Sequence, residues 1–223
     1  MRERATGYGL RATVRRSCRA AATMGAALLI SACGGSLLES DLPVPTRYVI
    51  ATPPPATVAS TSAASQIDLA IGRPDVAPGL DTDRIAVIRG HELDYYRGAL
   101  WRGTVLDTVQ SYLVTTLEDQ KLFRSVAAEQ ARVGGEYLLD IEVRDFQAEY
   151  SAGNAIPTVR VSLTGRLIRI RDRHLIETIT SGTTKQAGEN RLTSVAAAFE
   201  TAMQQVSLEL ANRTAAVVAA DRG

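Results

Sequence analysis

Two long segments near the middle of the chain alternate apolar and polar residues. "GEYLLDIEVRDFQAEY" (135–150) and "TVRVSLTGRLIRIRD" (158–172) are joined by the turn-rich "SAGNAIP". Alternation with period two marks strands that bury one face, so the pair predicts an antiparallel hairpin. Both segments change parity midway. Leu139, Ile141 and Val143 give way to Phe146, Ala148 and Tyr150, and Val159, Val161 and Leu163 give way to Ile168 and Ile170. Because successive side chains point to opposite faces, a switch of this kind implies a bulge, a bend, or burial of each face in turn. "HLIETITSGTTKQ" (174–186) predicts a third strand of the same set.

Upstream, "TRYVI" reads as a first short strand, "QIDLAIGRP" and "RIAVIRG" as strands separated by the turn-forming "PGLDTD", and "HELDYYRG" as a short strand or edge. Two segments carry helical spacing instead. From about Ala99 to Leu122, the residues Val105, Val109, Tyr112, Leu113 and Leu117 recur at intervals of three and four, with Trp101 near the start. From about Leu192 to Val218, Phe199, Met203, Val206 and Leu210 do the same; such a stripe is usually core, although it also suits a lipid groove. Strands, helix, strands, helix predicts an α+β domain, with two long amphipathic helices on one face of a mixed, mostly antiparallel sheet.

The remaining stretches have no such period. "GGSLLESDLPVP" after Cys33 combines glycines and prolines and suits a short tether, and Thr52–Gln66, rich in Pro, Ser, Thr and Ala, reads as a flexible surface loop. At 223 residues the chain accommodates one domain plus leader and linker. The organisation expected is a leader over 1–32, a tether over 33–46 and a single domain over 47–223.

Charge changes this picture at the N-terminus. Residues 1–32 hold six arginines against Glu3, whereas the chain from 33 onward holds 19 basic and 23 acidic side chains, a net of −4. A mature chain of that charge argues against nucleic acid as a partner. The arginine-rich stretch is followed by the apolar "AAATMGAALLI" (20–30) and then by "SAC", the three-part order of a secretory signal, with an apolar core too short to anchor. No stretch approaches the roughly 20 apolar residues of a membrane-spanning helix.

Cys33 adds information, because an ordinary signal needs no cysteine at its cut site. It is read as a chance cysteine behind a plain signal, as a buried core cysteine, or as a modification site. "LISAC" resembles the lipobox of bacterial lipoproteins, which implies that the Cys33 thiol takes a diacylglycerol, that cleavage falls just before it, and that the new amino terminus is acylated. A thiol suits that chemistry because its thiolate is the side-chain nucleophile most readily generated near neutral pH. Gly34 and Gly35 follow where an aspartate often marks inner-membrane retention, so the resemblance implies an outer-membrane anchor facing the periplasm. Cys18 would leave with the leader, and no disulfide would remain.

Little else points to chemistry. Cys18, Cys33, His91 and His174 have no zinc-ligand spacing, neither histidine sits in a nucleophile context, and there is no G-x-x-x-x-G-K-[ST] phosphate loop. No enzyme activity and no cofactor are expected. Asp81, Asp83 and Arg84 read as turn formers or as an exposed interaction motif. Tyr95, Tyr96 and Trp101 read as core or as a partner-binding patch. Arg160, Arg166, Arg169 and Arg171 read as a solvated face or as a surface for phospholipid headgroups or an acidic partner.

The stretch "PGLDTDRIAVIRGHELDYYRGALW", followed by an amphipathic helix and "LFRSV", resembles the auxiliary lipoproteins of ABC-type transport systems. These form the PqiC-like family found with MCE (mammalian cell entry) domain proteins. The likeness rests on Asp83 and Arg84 leading a strand, on Tyr95 and Tyr96, on Trp101 opening the helix, and on the long strand after it. It implies a non-catalytic, lipid-anchored subunit of an intermembrane transport system for lipids or small hydrophobic molecules, beside an MCE protein, a permease and an ATPase. Homo-oligomers are compatible with it, and the alternative is an envelope-assembly or enzyme-activating lipoprotein that docks a periplasmic partner. The resemblance assigns no ligand contact.

Overall fold

A computed structural model describes residues 44–52, 54–55, 66–132 and 134–222. The strands are β1 (Thr46–Tyr48), β2 (Asp68–Ile71), β3 (Asp75–Val76), β4 (Arg84–Arg89), β5 (Glu92–Trp101), β6 (Ser125–Ala128), β7 (Tyr137–Tyr150), β8 (Thr158–Arg169) and β9 (His174–Gln186). The helices are α1 (Val105–Asp119), between β5 and β6, and α2 (Leu192–Arg222), after β9. All nine strands form one mixed sheet.

The sheet is organised on β7. One edge of β7 pairs along nearly its whole length with β8, antiparallel, and β8 pairs in turn with β9. The other edge is shared by three short parallel partners: β2 at Tyr137–Leu139, β3 at Glu142–Val143 and β4 at Ala148–Tyr150. β6 extends the sheet beyond β2, and β5 and β1 extend it beyond β4. β7 is thus paired along both edges, and its inward-facing Leu139, Ile141 and Val143 have no exposure.

The parity switch in β7 is a bulge. Val143 pairs with Leu163 and Asp145 with Ser162, so Arg144 has no partner and the buried set moves from odd to even, to Phe146 and Ala148. In β8 the expected switch does not occur. Val159, Val161, Leu163 and Leu167 stay on the helix side, because β8 holds an unbroken register with β7 beyond the bulge, and Ile168 and Ile170 lie on the opposite face. The irregularity there belongs to β9, where Leu167 pairs with Glu177 and Ile168 with Leu175.

The first helix is shorter than the sequence suggests. Ala99, Leu100 and Trp101 are strand, because β1 pairs with them as Thr46, Arg47 and Tyr48. Gly98, at φ 66°, lies in the bulge of β5 where the pairing with β4 shifts from Ala86 opposite Tyr95 to Arg84 opposite Leu100. The helix starts after Thr104, whose hydroxyl accepts a hydrogen bond from the Asp107 amide at 3.2 Å, and Lys121 at φ 51° stands just past its end. The predicted face is otherwise as expected: Val105, Val109, Tyr112, Leu113 and Leu117 are all buried.

Both helices cover one face of the sheet. Phe199, Met203, Val206 and Leu210 of α2 are fully buried, so that stripe is core and not a groove. At the centre Trp101 meets Phe146 and Phe199 edge-on, with centroids 5.9 and 5.0 Å apart, and the two phenylalanines lie 5.0 Å from each other. Aromatic pairs in this arrangement contribute about 0.5–1.5 kcal/mol beyond their burial. Strand β5, the strand after the bulge and helix α2 therefore meet at one aromatic contact.

The helix–sheet fit is close at Gly165, where a Cβ would stand 2.9 Å from Leu139 Cδ1 and 3.1 Å from Leu210 Cδ1. Gly165→Ala is expected to lower unfolding free energy by about 1–3 kcal/mol through overpacking. Urea titration of the two forms measures it, and an unchanged midpoint would show that α2 is free to move off the sheet.

Candidate functional site

Cys33 lies outside the described residues. The other residues nominated from sequence are split three ways. Asp83 and Arg84 lead β4 as expected. The Asp83 carboxylate stands 3.8 Å from the half-exposed Arg47, and its carbonyl accepts from the Trp101 amide at 2.6 Å. The Arg84 guanidinium lies 3.9 Å over the Tyr95 ring, and the Tyr95 hydroxyl donates to the Gly79 carbonyl at 2.7 Å. Asp83, Arg84 and Tyr95 thus gather at one surface corner, where the 78–83 turn is pinned to β5. Leu93, 42% exposed, is beside it, against Gly79.

Tyr96 points to the other face of β5, as its neighbour must. Its hydroxyl donates to Tyr150 at 3.3 Å, and Tyr150 donates to Asn190 at 2.6 Å, with Arg89 4.7 Å over the Tyr150 ring. Burial, then the bond with Tyr150, pushes the Tyr96 hydroxyl well above its ordinary range, so it stays protonated. Trp101 belongs in neither group. It is 1% exposed and ends a strand inside the core, because β1 and the aromatic cluster close over it. The patch reading is therefore corrected for Trp101.

The basic run along β8 is mostly neutralised. Arg160 forks onto Glu149 at 2.8 and 3.2 Å, and Arg166 reaches Asp140 at 3.3 Å and Glu142 at 2.5 Å. Arg169 holds Asp221 at 2.8 Å, the far end of α2, and Tyr137 donates to the same carboxylate at 2.5 Å. Only Arg171, with Asp172 at 4.0 Å, extends largely free. Tyr137, Arg169 and Asp221 form a half-buried polar knot beside an open cavity of about 850 Å³, with Glu136, Arg171 and Arg222 also on its walls. Their separation in sequence hides the knot, since Tyr137 and Asp221 are 84 residues apart.

A second cavity, of about 520 Å³, lies between the segment Tyr48–Thr52 and α1. Tyr112 and Trp101 are among its walls, and neither the Tyr112 hydroxyl nor Trp101 Nε1 has a partner among the described residues. Burial, with Glu200 nearby, pushes the Tyr112 phenol up to about 12. A phenol so protonated is no general base near neutral pH. No group of three His, Cys, Asp or Glu able to hold a metal occurs among the described residues.

Asp68 links three strands. It accepts from Arg124 through both carboxylate oxygens and from the Ser125 hydroxyl at 2.6 Å, and Arg124 also stands 3.7 Å from Glu136. Those bonds, Arg124 first, bring the Asp68 carboxyl down from 3.8 to about 2. A carboxylate depressed by folding stabilises the fold above its unfolded value and loses that contribution as pH falls toward 2. Asp68→Asn is expected to lower the thermal midpoint at neutral pH, with the difference from the parent closing between pH 3.8 and about 2. The effect is modest because Arg124 is 54% exposed. Melting curves across that range check it, and a gap that persists at the acid end would remove ionisation as its cause.

Comparison with known proteins gives this fold a context. The model of ABC-type transport auxiliary lipoprotein components matches residues 48–211. The chain is similar to a crystal structure of a Xanthomonas campestris protein of the DUF330 family, at 28% identity and TM-score 0.71, over 79% of this chain and 98% of that one. It is also similar in fold to an uncharacterized protein, at 11% identity and TM-score 0.58, over 77% of this chain and 99% of that one. No curated protein matches its sequence. The match spans β2 through most of α2, including the Asp83 and Arg84 corner, the bulged strand and the aromatic cluster: this chain belongs to the family of ABC-type transport auxiliary lipoprotein components.

Proposed function

We propose that this chain is a non-catalytic auxiliary subunit of an intermembrane transport system for lipids or small hydrophobic molecules. It is lipidated at Cys33, held on the outer membrane and facing the periplasm, and works beside an MCE-domain protein, a permease and an ATPase. Residues 1–32 are the leader, 33–46 the tether and 47–223 the working domain. The observation that carries the reading is the family match beginning at Tyr48, close behind a cysteine set in a lipobox-like "LISAC".

The described side chains fit a binding role. Carboxylates and guanidiniums are mostly satisfied by one another, and the displaced phenols are held protonated, which suits a surface that docks and not one that moves protons. The corner of Asp83, Arg84 and Tyr95 is the surface assigned to a protein partner, with Leu93 as its apolar element. Assembly into homo-oligomers is part of the same reading.

Two measurements test it. Cys33→Ser is expected to abolish acylation and leave the protein off the outer membrane on fractionation; a form still processed at the same site and still membrane-bound would overturn the anchor. Crosslinked envelopes are expected to yield an MCE-domain protein with this chain, and Arg84→Glu is expected to reduce that yield without lowering the thermal midpoint by more than a few degrees. A complete lack of association in the parent would overturn the transport assignment.

A further inference from the structure

The sheet face opposite the helices is polar along most of its length. Its rows across β7, β8 and β9 run Asp140, Arg166, Thr178, then Glu142, Thr164, Thr180, and farther on Gln147, Arg160, Thr184. Where β7 begins, the character changes. Ala127 stands beside Ala70, Ala70 beside Leu138, Leu138 beside Ile168 and Ile168 beside Leu175. Cross-strand neighbours share a face, so this is a row over five strands with no charge in it. Ile170 lies just past the row's β8 member; it is 42% exposed and Leu175 is 49% exposed. An open cavity of about 410 Å³ has Ala70, Leu138, Ile168 and Ile170 in its walls, with Glu129 at its β6 side and Arg173 at its β9 side.

Two arginines flank this apolar end. The Arg171 side chain is 76% exposed, and its carboxylate neighbour at 4.0 Å, Asp172, is already held by Arg169 at 3.2 Å. Arg173, exposed on the cavity rim, makes no ion pair among the described residues. The β8–β9 turn thus presents aliphatic side chains and uncompensated guanidiniums together. On a chain whose net charge from residue 33 onward is −4, this places two exposed guanidiniums beside the apolar end.

We propose that this end of the sheet is a second, non-covalent membrane contact. Ile170 and Leu175 enter the boundary between headgroups and acyl chains of an anionic phospholipid bilayer, and Arg171 and Arg173 meet its phosphates. Aliphatic groups flanked by cations are the composition that binds in this plane, and local charge sets which face turns toward the lipid. The inference rests on the lipid anchor at Cys33, which keeps a bilayer within reach. The 12 residues 34–45 extend to at most ~40 Å, about the width of a domain of this size, so the domain can turn on its anchor and is not confined to one face. Tethering raises the effective concentration of the bilayer, and a contact too weak to hold alone then sets orientation.

The test uses the chain beginning at residue 34, which retains the whole described core from Ile50 to Val218 and lacks both leader and lipid. It is sedimented with vesicles of phosphatidylcholine alone and of phosphatidylcholine with phosphatidylglycerol. Binding is expected to the anionic vesicles only, and to weaken as salt is raised. Arg171→Gln and Arg173→Gln are each expected to reduce it about fivefold. The pair Ile170→Asp and Leu175→Asp is expected to abolish it while leaving the melting curve in place, since both positions are exposed. Equal sedimentation with neutral vesicles, or unchanged binding in these variants, overturns the proposal. So does a loss of co-purified protein from variants that still bind vesicles, which would give the face to a protein partner. The vesicles contain no transport subunit and the chain no lipid, so failure here leaves the proposed function standing and is distinct from its failure.

Discussion

One strand is asked to serve two sides of the molecule. β7 carries β8 along one edge and β2, β3 and β4 in succession along the other, and each half must bury a face under the helices. A regular strand of 14 residues twists steadily and would turn its later residues away. Giving Arg144 no partner resets the alternation, so that Val143 and Phe146, three apart, both point inward. Phe146 then reaches Trp101 and Phe199, and that contact ties β5 and β7 to α2. Without the bulge, Gln147 and Glu149 would face the aromatic core, where an unpaired carboxylate is far too costly to bury.

The period-two and period-3.6 patterns made most of this legible. The hairpin, the third strand, both helix faces and the change of parity in β7 follow from which side of a repeating backbone each apolar residue occupies. The misplaced features share a cause. "ALW" continues the spacing of the helix that follows it, and only the pairing of β1 with Ala99–Trp101 makes it strand. Ile168 and Ile170 look like a core set displaced by one, yet the register with β7 keeps Leu167 inside and turns them outward. Strands as short as β3 and β6, two and four residues, carry too few positions for a period to show. Among the site residues, Asp83, Arg84 and Tyr95 were visible because the turn before them is written locally. The knot of Tyr137, Arg169 and Asp221 was not, since its members come from three distant elements.

Charge on this surface is arranged and not simply abundant. β7 offers Asp140, Glu142 and Glu149 to the bare face, β8 answers with Arg160 and Arg166, and β9 adds threonines. Neighbouring strands thereby cancel each other's charge at close range, and exposed pairs of that kind contribute little to stability individually. Their effect is to leave a broad face of mutually paired charge, against which Arg84, stacked on Tyr95, and the exposed Arg173 at the β8–β9 turn stand out.

The entry of the chain into the fold has a mechanical side. β1 is three residues long and lies along the end of β5, with Tyr48 opposite Trp101. Any pull arriving from the N-terminal side is borne first by that short ladder and by the buried Ile50 behind it, before the twelve paired positions of β7 and β8 feel a load. Local opening free energies follow the contacts an element makes, so β1 yields far below the force that would disturb the core. It acts as a fuse: a domain pulled from its N-terminal side would lengthen by one peeled strand and uncover the edge of Trp101, and the rest of the sheet would keep its shape.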